Sequence, residues 1–128
     1  MAAGTEPLRE DAMAVEIRPA QALKLLRDFS YALVTDRQPD LSPRQLTILL
    51  TIYLDPPPHN VRGLAKKLKV TKPVITRALD TMGKLGLVAR RRDDADRRNV
   101  VIQRTVKGAL AVEQLGDLLV HTAKGLSR

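Results

Sequence analysis

Between the run Asp55-Pro56-Pro57-Pro58 and Gly86 the chain has room for two short helices and little else. Three prolines in a row cannot continue a helix, and a glycine after an apolar periodic stretch is a natural stop. Inside these limits Asn60 offers a side-chain cap for a helix whose Val61, Leu64, Ala65 and Leu68 recur at i, i+3, i+4 and i+7. That helix is barely two turns long. After Lys69 and Val70, Thr71 offers a new cap, and Pro73 falls in the first turn of the next helix. The inward stripe of this second helix is Ile75, Leu79, Met82 and Leu85, with Ala78 beside it. Two short helices joined by about three residues, the second closed by a glycine, outline a helix-turn-helix.

The hydrophobic period changes at Gly86. Leu87-Val88-Ala89 runs through Arg90-Arg91-Arg92 into a polar stretch with Asp93, Asp94, Asp96 and Asn99, then into Val100-Val101-Ile102. Two β-prone runs around an Asp- and Asn-containing turn predict a hairpin, and a hairpin directly after a helix-turn-helix is a wing. Upstream, Pro19 opens a helix carrying Leu23, Leu26, Ser30, Leu33 and Val34 to about Asp36, broken by Gln38-Pro39-Asp40. Ser42-Pro43-Arg44-Gln45 is a capping box for a helix that is apolar from Leu46 to Leu54 except at Thr47 and Thr51, so a central, buried helix is expected. Downstream, Thr105 caps a last helix. Its Leu110, Val112, Leu115, Leu118, Leu119, Ala123 and Leu126 cover more than one narrow stripe and imply contact beyond its own domain.

At 128 residues the chain fits one domain, and 2% aromatic residues leave an aliphatic core. The expected fold is α+β, mostly α, a winged helix-turn-helix with terminal helices forming a dimerisation region and a two-stranded wing as its only substantial sheet. Residues 1–18 read as a flexible N-terminal segment and 19–128 as a single winged-helix domain. Within it the DNA-binding core spans about 42–104 and the dimerisation helices about 19–37 and 105–127. With no cysteine, disulfide scaffolds, cysteine-ligated zinc, iron–sulfur clusters and thiol redox sensing are excluded. Met1 to Arg18 lacks the continuous apolar run of a secretory signal, and no stretch approaches the ~20 apolar residues of a membrane span. A cytoplasmic protein without membrane partners is expected.

Charge is placed unevenly along the chain. From Asn60 to Lys107 there are 14 Lys and Arg against 4 Asp, whereas Met1 to His59 carries 6 basic and 8 acidic residues and Gly108 to Arg128 two of each. All the positive excess therefore lies in one segment, the pattern of a polyanion binder. A solvated basic face is the bland reading. A membrane-surface role fits less well, because the stretch lacks aromatics and is broken by Gly83 and Gly86.

In this order and spacing, several segments carry a resemblance. They are Leu41-Ser42-Pro43-Arg44-Gln45-Leu46, Leu64 to Thr71, Val74-Ile75-Thr76-Arg77-Ala78-Leu79-Asp80, Gly86-Leu87-Val88-Ala89-Arg90, Asp96-Arg97-Arg98 and Thr105-Val106-Lys107-Gly108. From about Gln21 to Leu126 the chain resembles the MarR family of winged helix-turn-helix transcriptional regulators. The chain departs from the family's pattern at Arg104, where members usually carry an apolar residue, and at Gly83, late in the recognition helix. It also holds one long C-terminal helix, an abbreviated dimerisation region.

If Ile75, Leu79 and Met82 face inward, Lys72, Pro73, Thr76, Arg77 and Asp80 face outward, the face that enters a major groove in such proteins. Arg77 can pair bidentately with guanine, and Thr76 or Pro73 can touch a thymine methyl or a phosphate. Thr71 is expected chiefly as a structural cap, and as the first of the DNA-binding recognition-helix residues it could also bring its cap amide to a phosphate. Lys66, Lys67, Lys69 and Lys72 suit phosphate contacts, which position without specifying. The resemblance implies that Arg97 or Arg98 reaches into or beside the minor groove, with Asp96 orienting an arginine. The expected partners are double-stranded DNA at a pseudo-palindromic operator and a second copy of the chain. A small-molecule effector, often an aromatic anion in the family, is a further partner implied by resemblance, although one Phe, two Tyr and no Trp leave little to mark its pocket.

No cofactor or enzyme activity is expected. His59 and His121 are far apart and lack a partner at motif spacing; the aspartate cluster at 93–96 sits among arginines, and there is no Gly-rich phosphate loop or nucleophile elbow. The function expected is sequence-specific DNA binding and transcriptional regulation, as a repressor. Alternatives are a winged-helix protein–protein module and a DNA-binding regulator that senses no ligand.

Overall fold

The computed structural model describes residues 16–36 and 39–126. Most of the segment 1–18, the Gln38 helix break and the last two residues lie outside the described residues. The order is α1 (Pro19–Thr35), α2 (Pro43–Leu54), β1 (His59–Asn60), α3 (Val61–Leu68), α4 (Lys72–Lys84), β2 (Val88–Arg92), β3 (Val100–Arg104) and α5 (Val106–Ala123).

Local chemistry sets most boundaries. Gln45 N donates to Ser42 Oγ (3.1 Å) while Ser42 N donates to Gln45 Oε1 (2.8 Å), the reciprocal capping box. Gly63 N donates to Asn60 Oδ1 (2.7 Å) at α3, and Gly108 N to Thr105 Oγ1 (2.9 Å) at α5. Thr71 differs from expectation. It stands at the N-cap of α4, yet its hydroxyl makes no cap bond. The second helical residue is Pro73, which has no N–H, and the Val74 amide already donates to the Thr71 carbonyl (3.2 Å), so no donor is left for the side chain.

The core is aliphatic. Ile48, Leu49 and Ile52 of α2 meet Leu64 of α3, Ile75, Leu79 and Met82 of α4, and Leu87, Val88 and Ile102 of the wing base, all essentially without exposure. Each such side chain contributes about 1.5–3 kcal/mol on burial. The central helix is α2, as its composition implies, although Leu54 at its end is exposed.

The sheet has three strands, not two: order β1-β3-β2, antiparallel throughout, with Arg90 opposite Ile102 and His59 opposite Ile102 on the other edge. The prolines deliver the chain to β3 in extended form, so two residues add an edge strand too short to read from alternation. His59 is thereby buried, and its Nε2 lies 3.1 Å from the Asp55 carbonyl.

The terminal helices pack on each other and leave apolar surface bare. No residue of α1 is buried, and Leu23 is 68%, Tyr31 65% and Val34 67% exposed. On α5, Leu110 and Val120 are more than half exposed. Among the described residues no helix is long and apolar enough to cross a membrane.

Candidate nucleic-acid interface

The turn between α3 and α4 is made by a residue in the left-handed region. Lys69 closes α3 at φ 57°, ψ 44°, and the following Val70 N donates back to Ala65 O (3.0 Å). The reversal turns Val70 inward and leaves Lys66, Lys69, Thr71, Lys72 and Pro73 exposed around the start of α4. With Ile75, Ala78, Leu79 and Met82 buried, the opposite face of α4 presents Pro73, Thr76, Arg77, Asp80 and Lys84 to solvent. The helix ends in a Schellman motif, in which Leu87 N donates to Met82 O (2.9 Å), Gly86 N donates to Gly83 O (3.0 Å), and Gly86 takes φ +76°. Leu87 and Met82 then both enter the core. This fixes where the wing leaves the helix.

The wing is organised by Asp93. Its carboxylate accepts from Ala95 N (2.9 Å) and Asn99 Nδ2 (3.2 Å), and its own N–H donates to Asn99 O (3.0 Å). The Ala95 amide, then the Asn99 side chain, hold the Asp93 carboxyl below the usual carboxylate range. Arg92 Nη1 donates to Arg97 O (2.8 Å), tying the strand to the turn. Asp96 Oδ1 accepts from Arg98 N (3.1 Å) and, at a longer 3.4 Å, from Arg98 Nε, and the guanidinium remains almost fully exposed. Arg97 lies 3.6 Å from Asp94.

Several basic residues are already engaged. Lys67 Nζ donates to Asp55 Oδ2 (2.7 Å), which holds the Asp55 carboxyl below its usual range. Arg90 Nη1 meets Asp80 Oδ1 at 2.8 Å, bracing the wing strand against α4, and the guanidinium passes beside Gly83. Arg104 Nε and Nη2 donate to Ile52 O and Asp55 O (2.8 Å each), closing the C-terminal end of α2, with the guanidinium 5.8 Å from the Tyr53 ring centre. By contrast Lys66, Lys69, Lys72 and Arg77 make no side-chain ion pair or hydrogen bond among the described residues.

Tyr53 joins three elements at one point. Its hydroxyl donates to Leu87 O (2.6 Å) and accepts from Thr105 N (3.0 Å), while Thr105 Oγ1 donates to Gly86 O (2.7 Å). The end of α4, the base of the wing and the start of α5 are thus pinned to α2. Beside this junction, α1, α2 and α5 enclose a cavity of about 450 Å³. Its walls are apolar, with Phe29, Leu33, Leu46, Leu87 and Leu115 among them, and Ser30 and Asp40 supply the polar atoms.

The family model of the MarR family matches residues 41–100. Over that span, just under half of the chain, the sequence is similar to the MarR family. No curated protein matches the sequence. Among solved structures, the transcriptional repressor CouR bound to a 23-mer DNA duplex is 23% identical, with a TM-score of 0.66 over 94% of this chain and 83% of that one. A transcriptional regulator from Thermotoga maritima is 27% identical, with a TM-score of 0.59 over 92% and 73%. The PcaV transcriptional regulator of Streptomyces coelicolor, in complex with its natural ligand, is 19% identical, with a TM-score of 0.60 over 87% and 80%.

Within this MarR-type winged helix the residues singled out in the sequence fall into two groups. Thr71, Lys72, Pro73, Thr76 and Arg77 come together on one exposed face, with Lys66 and Lys69 at its edge. Lys67 points to Asp55, and Asp96 meets Arg98 chiefly through the backbone. Four residues that organise the site were not read from the sequence: Tyr53, Arg90, Arg92 and Asp93. Only Asp93 left a local signal, an Asp two residues before the amide it accepts from.

Proposed function

We propose that the chain is a sequence-specific, double-stranded DNA-binding transcriptional regulator of the MarR type, acting as a repressor and without catalytic activity. The observation that carries this reading is the exposed start of α4, where Lys72, Pro73, Thr76 and Arg77 are free on a face ringed by Lys66 and Lys69. A recognition helix enters a major groove by its N-terminal turn, and Arg77 would read a base while the lysines hold phosphates. Arg97 and Arg98 would follow the adjacent minor groove. The neighbours CouR and AbfR, the latter at TM-score 0.63 and 19% identity, were solved bound to DNA, which supports the same use of the fold.

The chain works as a cytoplasmic homodimer, its DNA-binding core at about 42–104 and its dimerisation helices at about 19–37 and 105–127. Support comes from the bare Leu23, Tyr31, Val34, Leu110 and Val120, an apolar surface too large for a lone domain. Two copies would read half-sites about one helical turn apart. The 450 Å³ cavity is the place for a small-molecule effector, and PcaV, solved in complex with its natural ligand, supports the existence of an effector.

Selecting bound sites from random DNA tests the reading. A pseudo-palindrome bound with strong salt dependence is expected. Equal, weak binding to all duplexes, or preference for an acidic protein surface, would overturn it.

A further inference from the structure

A second, smaller recess of about 210 Å³ lies between the start of α2 and the flank of α4. Its walls include Ser42, Arg44 and Gln45 from α2, and Val74, Arg77 and Ala78 from α4. On α4 the positions 74, 77 and 78 share one side, so Arg77 stands on the border between this recess and the outward face. Arg44 approaches from a different helix, some thirty residues away in sequence.

Electrostatically the recess is incomplete. Arg44 and Arg77 wall one hollow, and neither makes an ion pair among the described residues. The only carboxylate on α4, Asp80, is drawn to the other flank by Arg90 at 2.8 Å. Ser42 and Gln45 are occupied with each other in the capping box, so they do not tie down Arg44. Two exposed guanidiniums beside one hollow repel each other until an anion sits between them, and a guanidinium suits the planar, two-point geometry of a phosphate.

We propose that this recess seats a backbone phosphate of the DNA, held by Arg44, immediately beside the base step that Arg77 reads. The proposal rests on the DNA-binding reading and adds a contact from outside the helix-turn-helix. Residues on the crest of a recognition helix meet base edges; residues on its flank and on the neighbouring helix meet the strand that borders the groove. Arg44 lies on that flank. It positions the helix in the groove and carries no sequence information of its own.

The test compares the full chain with Arg44→Ala and Arg44→Lys, on the selected duplex and on a random duplex of equal length, from 50 to 200 mM salt. Loss of one phosphate contact should flatten the salt slope by about 0.9 for each protomer bound, so the affinity advantage of the unsubstituted protein shrinks about 3- to 4-fold per protomer across that range. The loss should be the same on both duplexes, and Arg44→Lys should restore most of the slope. An unchanged slope overturns the proposal while leaving the DNA-binding reading intact. A loss confined to the selected duplex also overturns it, because Arg44 would then read a base. If the unsubstituted protein binds neither duplex, the DNA-binding reading falls and the phosphate seat with it.

Discussion

Replacing Gly108 with alanine probes the junction on which the wing and the last helix depend. A Cβ built at Gly108 overlaps the Tyr53 hydroxyl and the Leu87 carbonyl, and lies 2.7 Å from Tyr53 Cζ, closer than real Cβ atoms come to such neighbours. Leu87 O belongs to the backbone between the end of α4 and β2 and cannot yield cheaply. Either α5 lifts away or Tyr53 swings out. Overpacking of this kind costs about 1–3 kcal/mol. Losing the bonds from Tyr53 Oη to Leu87 O and from Thr105 N to Tyr53 Oη adds about 1 kcal/mol each. Alanine returns at most about 1 kcal/mol of helix propensity. The expected net loss is about 2–4 kcal/mol, or a fall in Tm of roughly 8–16 °C at about 4 °C per kcal/mol.

Thermal and urea unfolding followed by circular dichroism, at one fixed protomer concentration, measure it. The internal comparison is Gly83→Ala. There the new Cβ lies 3.8 Å from Arg90 Nη2, an ordinary contact, so this substitution should stabilise by about 1 kcal/mol. Adding Tyr53→Phe to Gly108→Ala should cost much less than Tyr53→Phe alone, because the hydroxyl it deletes is one of the groups in collision. A Gly108→Ala protein within about 0.5 kcal/mol of the original, the range of an ordinary surface change, would refute the packing of α5 against Tyr53 and Leu87.

Lys69 holds a left-handed conformation that L-residues adopt at a cost, so Lys69→Gly should raise stability by about 0.5–1 kcal/mol while weakening DNA binding, read by melting and by titration of one duplex; stabilisation should not accompany Lys66→Ala. Arg104→Leu removes two donors from the last carbonyls of α2 and should lower stability by about 1–2 kcal/mol in urea unfolding, whereas no loss would mean that water serves those carbonyls equally well. The Asp93 carboxyl titrates below its ordinary value in the folded wing, so the order it confers is complete above the ordinary carboxylate range and is lost as pH falls through the lowered value. Protection of the Ala95 amide from exchange should persist through the ordinary carboxylate range and be lost as pH falls through the lowered value, and Asp93→Ala should abolish that dependence.

The legible parts of this fold are those decided within about four residues. Ser42 with Gln45, Asn60 with the Gly63 amide and Thr105 with the Gly108 amide all span three positions, and each cap forms where the residue types imply it. The left-handed Gly86 is likewise a local requirement. Thr71 marks the limit of such reasoning. Its position is right, but the proline two residues on removes the donor its hydroxyl would need. The junctions were not legible because their partners are remote. Tyr53 reaches Leu87 across 34 residues, and Arg104 reaches Ile52 across 52. Arg104 departs from the family pattern in sequence and finds its reason in α2, where a guanidinium closes the helix end.

The distribution of free charge is the deeper lesson of that distance. Counted along the chain, the basic segment looks uniform, with six arginines in the wing and six lysines or arginines from Arg62 to Arg77. In space the acids separate the two. Asp93, Asp94 and Asp96 lie within the wing tip, and Arg90, Arg92, Arg97 and Arg98 all have protein partners there or on α4. Around the α3–α4 turn, among the described residues only Lys67 is paired, with Asp55, and Asp80 faces Arg90 rather than Arg77. Lys66, Lys69, Lys72 and Arg77 around the start of α4 are therefore left without an ion pair among the described residues. On the proposed DNA-binding reading, a phosphate drawn to this surface would meet the recognition helix, and exposed pairs such as Arg97–Asp94 would have to open before the wing could engage. Because such exposed pairs are worth only about 0–1 kcal/mol, that opening would cost little and would leave Arg97 and Arg98 available to a bound duplex.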